Sequence, residues 1–119
     1  MREIKFRAWD NDKKCFILPE NLVYRLDGYL FDREFDVELH NIELMQFTGL
    51  LDKNGKEIYE GDIVKGYGYE VRNGYQIRPE RIFIINDFIK DTYRLLCITE
   101  GTGETVEIIG NIYENPDLL

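Results

Sequence analysis

Residue types that several chemistries require are missing or rare in this chain of 119 residues. It has no serine, one histidine, His40, and two cysteines, Cys15 and Cys97. The absence of serine excludes a serine nucleophile, and a cysteine nucleophile would have only His40 to activate it. No Cys-x-x-Cys pair or Cys/His cluster is present, which argues against structural zinc and a disulfide scaffold. The sequence therefore predicts no catalytic residue, no metal and no cofactor.

Long apolar runs are also missing. No stretch approaches the ~18 apolar residues that a membrane-spanning helix needs. The first residues hold no apolar run of the length found in signal peptides. We therefore expect a protein of the cytoplasm, with reduced thiols and no membrane partner.

The residues that are present suffice for one domain, residues 1–119, with a real core. Hydrophobic residues make up 44% of the chain and aromatic residues 13%, more than a disordered chain would hold. The aromatic residues are mostly tyrosine and phenylalanine, which fit a pleated and half-buried surface. The composition therefore favours a mostly β fold, or a β-rich α+β fold.

The N-terminal portion, residues 1–40, is predicted to form a hairpin followed by an excursion. Apolar and polar residues alternate over residues 4–8, which is typical of a strand with one buried face. The apolar residues 15–18 form the returning strand, which ends at Pro19. The rest of this portion consists of short apolar runs broken by charges, with a further strand expected over residues 35–40.

Residues 41–119 are predicted to form the core of the domain from short strands. Asn54-Gly55 and Asn73-Gly74 are strong signals for two-residue turns, because both residue types tolerate positive φ. The apolar run 82–85 is typical of a strand buried on both faces. Regular spacing with glycine turns favours a small barrel or sandwich. The strands are expected over residues 43–48, 63–69, 76–86, 89–99 and 106–109, and a closing turn over residues 115–119.

Tyrosines and arginines are interleaved in the predicted hairpin of residues 65–81. Such residues can stack on bases and neutralise phosphates, and they are also enriched in protein-interface hot spots. They can equally be the ordinary surface of a hairpin. The net charge of -8 for the whole chain argues against nucleic acid. A protein interface is the preferred functional interpretation, a nucleic-acid module is the alternative, and the candidate binding residues are Tyr67, Tyr69, Arg72, Tyr75, Arg78 and Arg81.

An acidic stretch offers the alternative of a small metal-dependent hydrolase. Asp36, Glu38 and His40 alternate, so that one strand would place them on the same face, where they could bind a divalent cation. A solvated strand face explains the same residues. A pair of carboxylates could also act as acid and base, but only in a cleft that the sequence does not reveal.

Three stretches of the chain resemble the YopX family of phage and prophage proteins. The first opens the chain at residues 1–14, and the last is Ile108-Ile109-Gly110-Asn111-Ile112-Tyr113-Glu114-Asn115-Pro116. The central stretch covers residues 44–64. It places Gly49, Gly55 and Gly61 at intervals of six, where turns are expected, and Asp62 where a carboxylate often binds a backbone N–H group.

The resemblance implies a small SH3-like barrel with an N-terminal hairpin or extension, in a phage or prophage gene product of the host cytoplasm. It also suggests a homo-oligomer, and the expected partners are its own copies or a host or phage protein. It implies no biochemical activity. Residues 66–96 depart from the family pattern, so no function can be transferred to them.

Overall fold

The structure, a computed structural model, describes residues 3–67, 70–77, 80–86, 90–93 and 106–118. Over these residues the chain is mostly β, as predicted, with twelve strands in four sheets. It divides into two compact units, residues 1–47 and residues 48–119. No helix in the described ranges has both the length and the apolar character to cross a membrane.

The first unit contains the predicted N-terminal hairpin. Trp9 lies opposite Phe16 in the β1–β2 ladder, and the two rings pack edge to face with centroids 4.9 Å apart. β1 also pairs with β6, which gives the order β2-β1-β6. The excursion forms a second sheet in the order β3-β4-β5. The strands are β1 Phe6–Asp10, β2 Cys15–Ile17, β3 Leu22–Tyr24, β4 Leu30–Asp32, β5 Val37–Leu39 and β6 Ile42–Leu51, with a 3₁₀ turn at Pro19–Asn21.

The core of the first unit joins its two sheets. Alternation along the strands turns one face of each sheet inward. The buried cluster comprises Ala8, Ile17, Leu22 and Leu39, with three partly buried hydrophobic residues against it. The strand predicted over residues 35–40 is therefore present as β5, and Leu39 is its buried member.

The second unit packs its core between short strands of two sheets. β6 continues into this unit and neighbours β7, while β8 lies between β11 and β12. The buried cluster comprises Leu50, Ile58, Val64, Phe83, Ile85 and Val106. Closure of these strands into the expected SH3-like barrel stays a prediction. The strands are β7 Glu57–Tyr59, β8 Asp62–Tyr67, β9 Glu70–Arg72, β10 Tyr75–Ile77, β11 Glu80–Ile84 and β12 Glu107–Asn111, with a 3₁₀ turn at Pro116–Leu118.

Two predictions for the second half of the chain need correction. Ile82 is exposed while Phe83 and Ile85 are buried, so the apolar run 82–85 is not buried on both faces. The reason is that side chains alternate along β11 and only one of its faces covers the core, so Phe83 and Ile85 point inward while Ile82 points to solvent. Residues 90–93 are helical, although a strand was expected over residues 89–99. The remainder of that expected strand lies outside the described residues.

The three glycines of the central stretch adopt the positive φ expected of them, although Gly49 lies within a strand. Gly49, Gly55 and Gly61 have φ of 88°, 80° and 86°, a region that side chains bearing a β-carbon rarely adopt. Gly49 does not end its strand as expected. Instead β6 continues through Gly49 to Leu51, and the buried Thr48 hydroxyl donates to the Ile58 carbonyl at 2.7 Å. The regular spacing of these three glycines therefore has a structural reason, because each position requires a positive φ.

The closing stretch is held by side-chain amides. Asn111 Oδ1 accepts the N–H groups of Tyr113 and Glu114 at 3.0 and 2.8 Å, and Asn115 Oδ1 accepts the Asn111 N–H at 3.2 Å. A β-carbon on Gly110 would lie 2.6–2.9 Å from the side chain of Asn115. The chain therefore needs a glycine here for close approach.

Replacing Gly110 by alanine is expected to lower the free energy of unfolding by about 1–3 kcal/mol, because overpacking displaces Asn115. Urea denaturation measures the change. In an Asn115→Gly background the obstructing atoms are gone, and the same replacement should cost much less. An equal cost in both backgrounds would contradict the steric explanation.

Candidate functional site

The candidate site is a β-hairpin built by the chain between β8 and β11. We call β9, β10 and the turn between them the arm. The turn residues Asn73 and Gly74 have φ of 51° and 80°, the two positive values that a tight hairpin turn requires. β9 and β10 pair only with each other among the described strands. The predicted Asn-Gly hairpin is therefore confirmed.

The described candidate residues all reach solvent. Tyr75 is 73% exposed and Tyr67 is 52% exposed, and Arg72 and Arg81 are also exposed. A tyrosine on a soluble protein usually buries most of its ring, so exposure at this level provides apolar contact area. Tyr69 and Arg78 lie outside the described residues.

The structure brings some of these residues together and separates others. In the arm, Tyr75 lies directly opposite Arg72. At the base of the arm, Tyr67 lies opposite Glu80, and Arg81 lies opposite Gly66. The two groups belong to different sheets, but the chain runs from β8 into the arm and returns through β11. The arrangement forms an exposed ribbon, which is suited to contact with another macromolecule.

The acidic stretch does not form the constellation considered for a metal. Asp36 precedes β5 with φ of 56°, so the strand alternation does not extend to it. His40 Nε2 lies 3.8 Å from Glu38 Oε2, and its ring packs edge to face on Tyr29. Among the residues that the structure describes, no group of three or more histidine, cysteine or acidic side chains could hold a metal ion.

Buried carboxylates bind backbone N–H groups in turns. Asp62, as expected, accepts the Tyr59 N–H at 2.8 Å. Asp32 accepts the Glu34 N–H at 2.9 Å, and Asp10 accepts the N–H groups of residues 12 and 13 at 2.9 and 3.0 Å. These bonds give the buried carboxylate oxygens partners that they would otherwise lack. The acidic residues named here therefore stabilise loops.

Asp52 is a further buried carboxylate of this kind, and the sequence did not predict its role. It is 2% exposed, and its Oδ1 accepts the N–H groups of Asn54 and Lys56, both at 2.9 Å. Its Oδ2 accepts the N–H of Ile108 at 3.1 Å. A signal was present, since aspartate often begins a turn such as Asp52-Lys53-Asn54-Gly55. The long-range bond to β12 has no local signal.

Tyr24 has a perturbed titration that follows from its packing. It is about half exposed and borders a pocket lined also by Ile4, Lys5, Phe6 and Pro19, and its ring packs edge to face on Phe6 with centroids 6.2 Å apart. Desolvation by burial raises the pKa of its phenol.

Comparison with known proteins places this architecture in a family. The family model described as YopX protein matches residues 5–119. The chain belongs to the YopX family. The resemblance seen in the three sequence stretches is thereby confirmed over nearly the whole chain.

A solved structure is similar to this YopX-family chain over its full length. The crystal structure of protein EF1440 from Enterococcus faecalis shares 25% sequence identity, with a TM-score of 0.57. The match covers 100% of this chain and 99% of that chain. The comparison with curated proteins finds no match.

Proposed function

We propose that this YopX-family chain is a non-catalytic protein that works by binding another protein chain through the arm. The observation that carries the proposal is a two-stranded ribbon that, among the described strands, pairs only with itself and exposes Tyr75. An isolated two-stranded hairpin is marginally stable in water. A partner that covers the tyrosine would stabilise the ribbon and gain a rigid aromatic anchor.

The surrounding chemistry favours contact over catalysis. The buried Asp10, Asp32, Asp52 and Asp62 already bind turn N–H groups. The net charge of -8 disfavours a phosphate backbone as the partner. A chemical turnover that disappears on Glu38→Gln would contradict the non-catalytic role.

The proposed setting is the cytoplasm of a host cell, with the protein encoded by a phage or prophage. Cys15 is a free and exposed thiol, which suits a reducing compartment. The partner is then a second copy of the chain or a host or phage protein. A search of the gene's neighbours for phage structural or replication genes tests the origin, and isolated placement among host genes would contradict it.

Replacing Tyr75 by alanine tests the proposed function. The variant should lose at least about tenfold in affinity for the bound chain, as expected for an aromatic anchor. Sedimentation velocity measures self-association, and capture from lysate of the cells that carry the gene measures binding to another protein. The matched control is Tyr93→Ala, which removes a tyrosine that is 69% exposed on the helical residues 90–93.

The outcome of this comparison decides the role of the arm. A complex that is lost with Tyr75→Ala and kept with Tyr93→Ala supports the proposal. Equal loss or equal retention in both variants would overturn it. Single-stranded oligonucleotides at low salt should give no response, and binding that depends on Arg72 would favour the nucleic-acid alternative instead.

We also propose that the second unit closes as a small barrel of the SH3 type. Its buried cluster takes side chains from two sheets, from the pair β6-β7 and from the sheet β11-β8-β12. The Lys53 N–H donates to the Val106 carbonyl at 2.8 Å, which joins the end of β6 to the start of β12. Hydrogen exchange at Lys53 should then be as slow as in the core strands. Rapid exchange at this amide would contradict closure.

A further inference from the structure

A row of four alternating charges crosses one face of the sheet β11-β8-β12. Lys65 on β8 lies directly opposite Glu107 on β12, and its Nζ lies 3.5 Å from Glu80 Oε1 on β11. Lys53 follows β6, and its Nζ lies 3.2 Å from Glu107 Oε2. The order of the four side chains is therefore Glu80, Lys65, Glu107 and Lys53, so their charges are negative, positive, negative and positive.

The row contributes little to the stability of the fold. All four side chains are about half exposed, and ion pairs exposed to this extent contribute little to stability. The same four residues surround a shallow cavity with Gly66 and Tyr67. Tyr67 and Ile82 are exposed on the same face by strand alternation, so apolar area lies beside the charges.

The sign pattern of this row makes the face complementary to itself. A two-fold axis reverses the order of the row if it passes between Lys65 and Glu107, lies in the plane of the contact and is perpendicular to the row. Lys65 of one copy then faces Glu107 of the other copy, and Glu80 faces Lys53. Every charge meets the opposite sign, as a contact that uses the same patch on both chains requires.

We propose that this face binds the same face of a second copy of the chain about such an axis. The inference rests on the proposed function, because it names the partner and adds the base of the arm to the contact. Tyr67 and Ile82 supply apolar area, and the paired charges fix the register. The row has no net charge, so neither an acidic nor a basic partner is favoured over a second copy.

Charge reversal at the two central positions tests the pairing. Lys65→Glu and Glu107→Lys should each weaken self-association by at least about tenfold, because like charges then face each other. One variant carries glutamate at both central positions and the other carries lysine at both. When the two are mixed, opposite charges meet again at both central contacts, so the mixture should associate like the wild type. Sedimentation equilibrium at low salt measures the association of each variant, of the mixture and of the wild type. Association of the wild type should also weaken as salt is added.

Restoration in the mixture cannot result from misfolding, because both chains must be folded to pair. The matched control is Arg25→Glu, which breaks an exposed ion pair with Asp27 in the first unit and should leave association unchanged. A wild type that stays monomeric at every soluble concentration would overturn the inference, as would a mixture that does not recover. If binding then still depends on Tyr75, the proposed function stands without this inference.

Discussion

Asp52→Ala is expected to lower the free energy of unfolding by about 3–5 kcal/mol. The carboxylate is buried, and it accepts backbone N–H groups of Asn54, Lys56 and Ile108. A hydrogen bond to a charged group contributes about 1.5–3 kcal/mol, and here three partly buried bonds of this kind are lost together. Urea denaturation followed by circular dichroism measures the change.

Two further variants separate the bonds of Asp52 from general effects of the replacement. Asp52→Asn keeps an oxygen for the turn but places an amide N–H against the N–H of Ile108, so it should fall between alanine and the wild type. Asp117→Ala removes an exposed carboxylate and should change stability by less than about 0.5 kcal/mol. A loss at Asp52 no larger than that at Asp117 would contradict the role given to this carboxylate.

Ile58→Ala is expected to cost about 2–5 kcal/mol of stability, because its removal leaves a cavity that the surrounding strands fill only in part. Ile58 has no exposed surface, and it lies in the cluster that joins the strands of the second unit. The cavity adds to the transfer free energy that is lost with the deleted atoms. The measurement is again the free energy of unfolding in urea.

The exposed isoleucine of β11 gives the control for this variant. Ile82→Ala deletes the same number of carbon atoms from a side chain that is 53% exposed. It should cost less than about 1 kcal/mol. Similar costs at the two positions would show that the buried cluster does not supply the stability of this unit.

Local signals were enough to predict much of the fold. Asn73-Gly74 predicts its hairpin because few residue pairs accept two positive φ values in succession. Alternation over residues 4–8 predicts the first strand, and Asn115-Pro116 predicts the closing turn at Pro116–Leu118. In each case the signal and the structure lie within a few residues of each other.

Features that depend on distant pairing were not predictable in the same way. Burial of the run 82–85 depends on what packs against each face of β11, which is decided by residues far away in the sequence. The bond from Asp52 to Ile108 joins residues 56 positions apart. The charge row likewise could not be predicted, because it depends on the register of β11, β8 and β12. The candidate site could be predicted because its residues lie close together in the sequence, in one hairpin.

Labelling with hydroxyl radicals tests most directly whether the arm is where this protein meets its partner. Tyr75 and Tyr93 are similarly exposed, so both should be modified to a similar extent in dilute purified protein. In the assembled state, or in lysate of the cells that carry the gene, we expect Tyr75 to be protected and Tyr93 to remain reactive. Equal modification of the two tyrosines under all these conditions would contradict a role for the arm in binding.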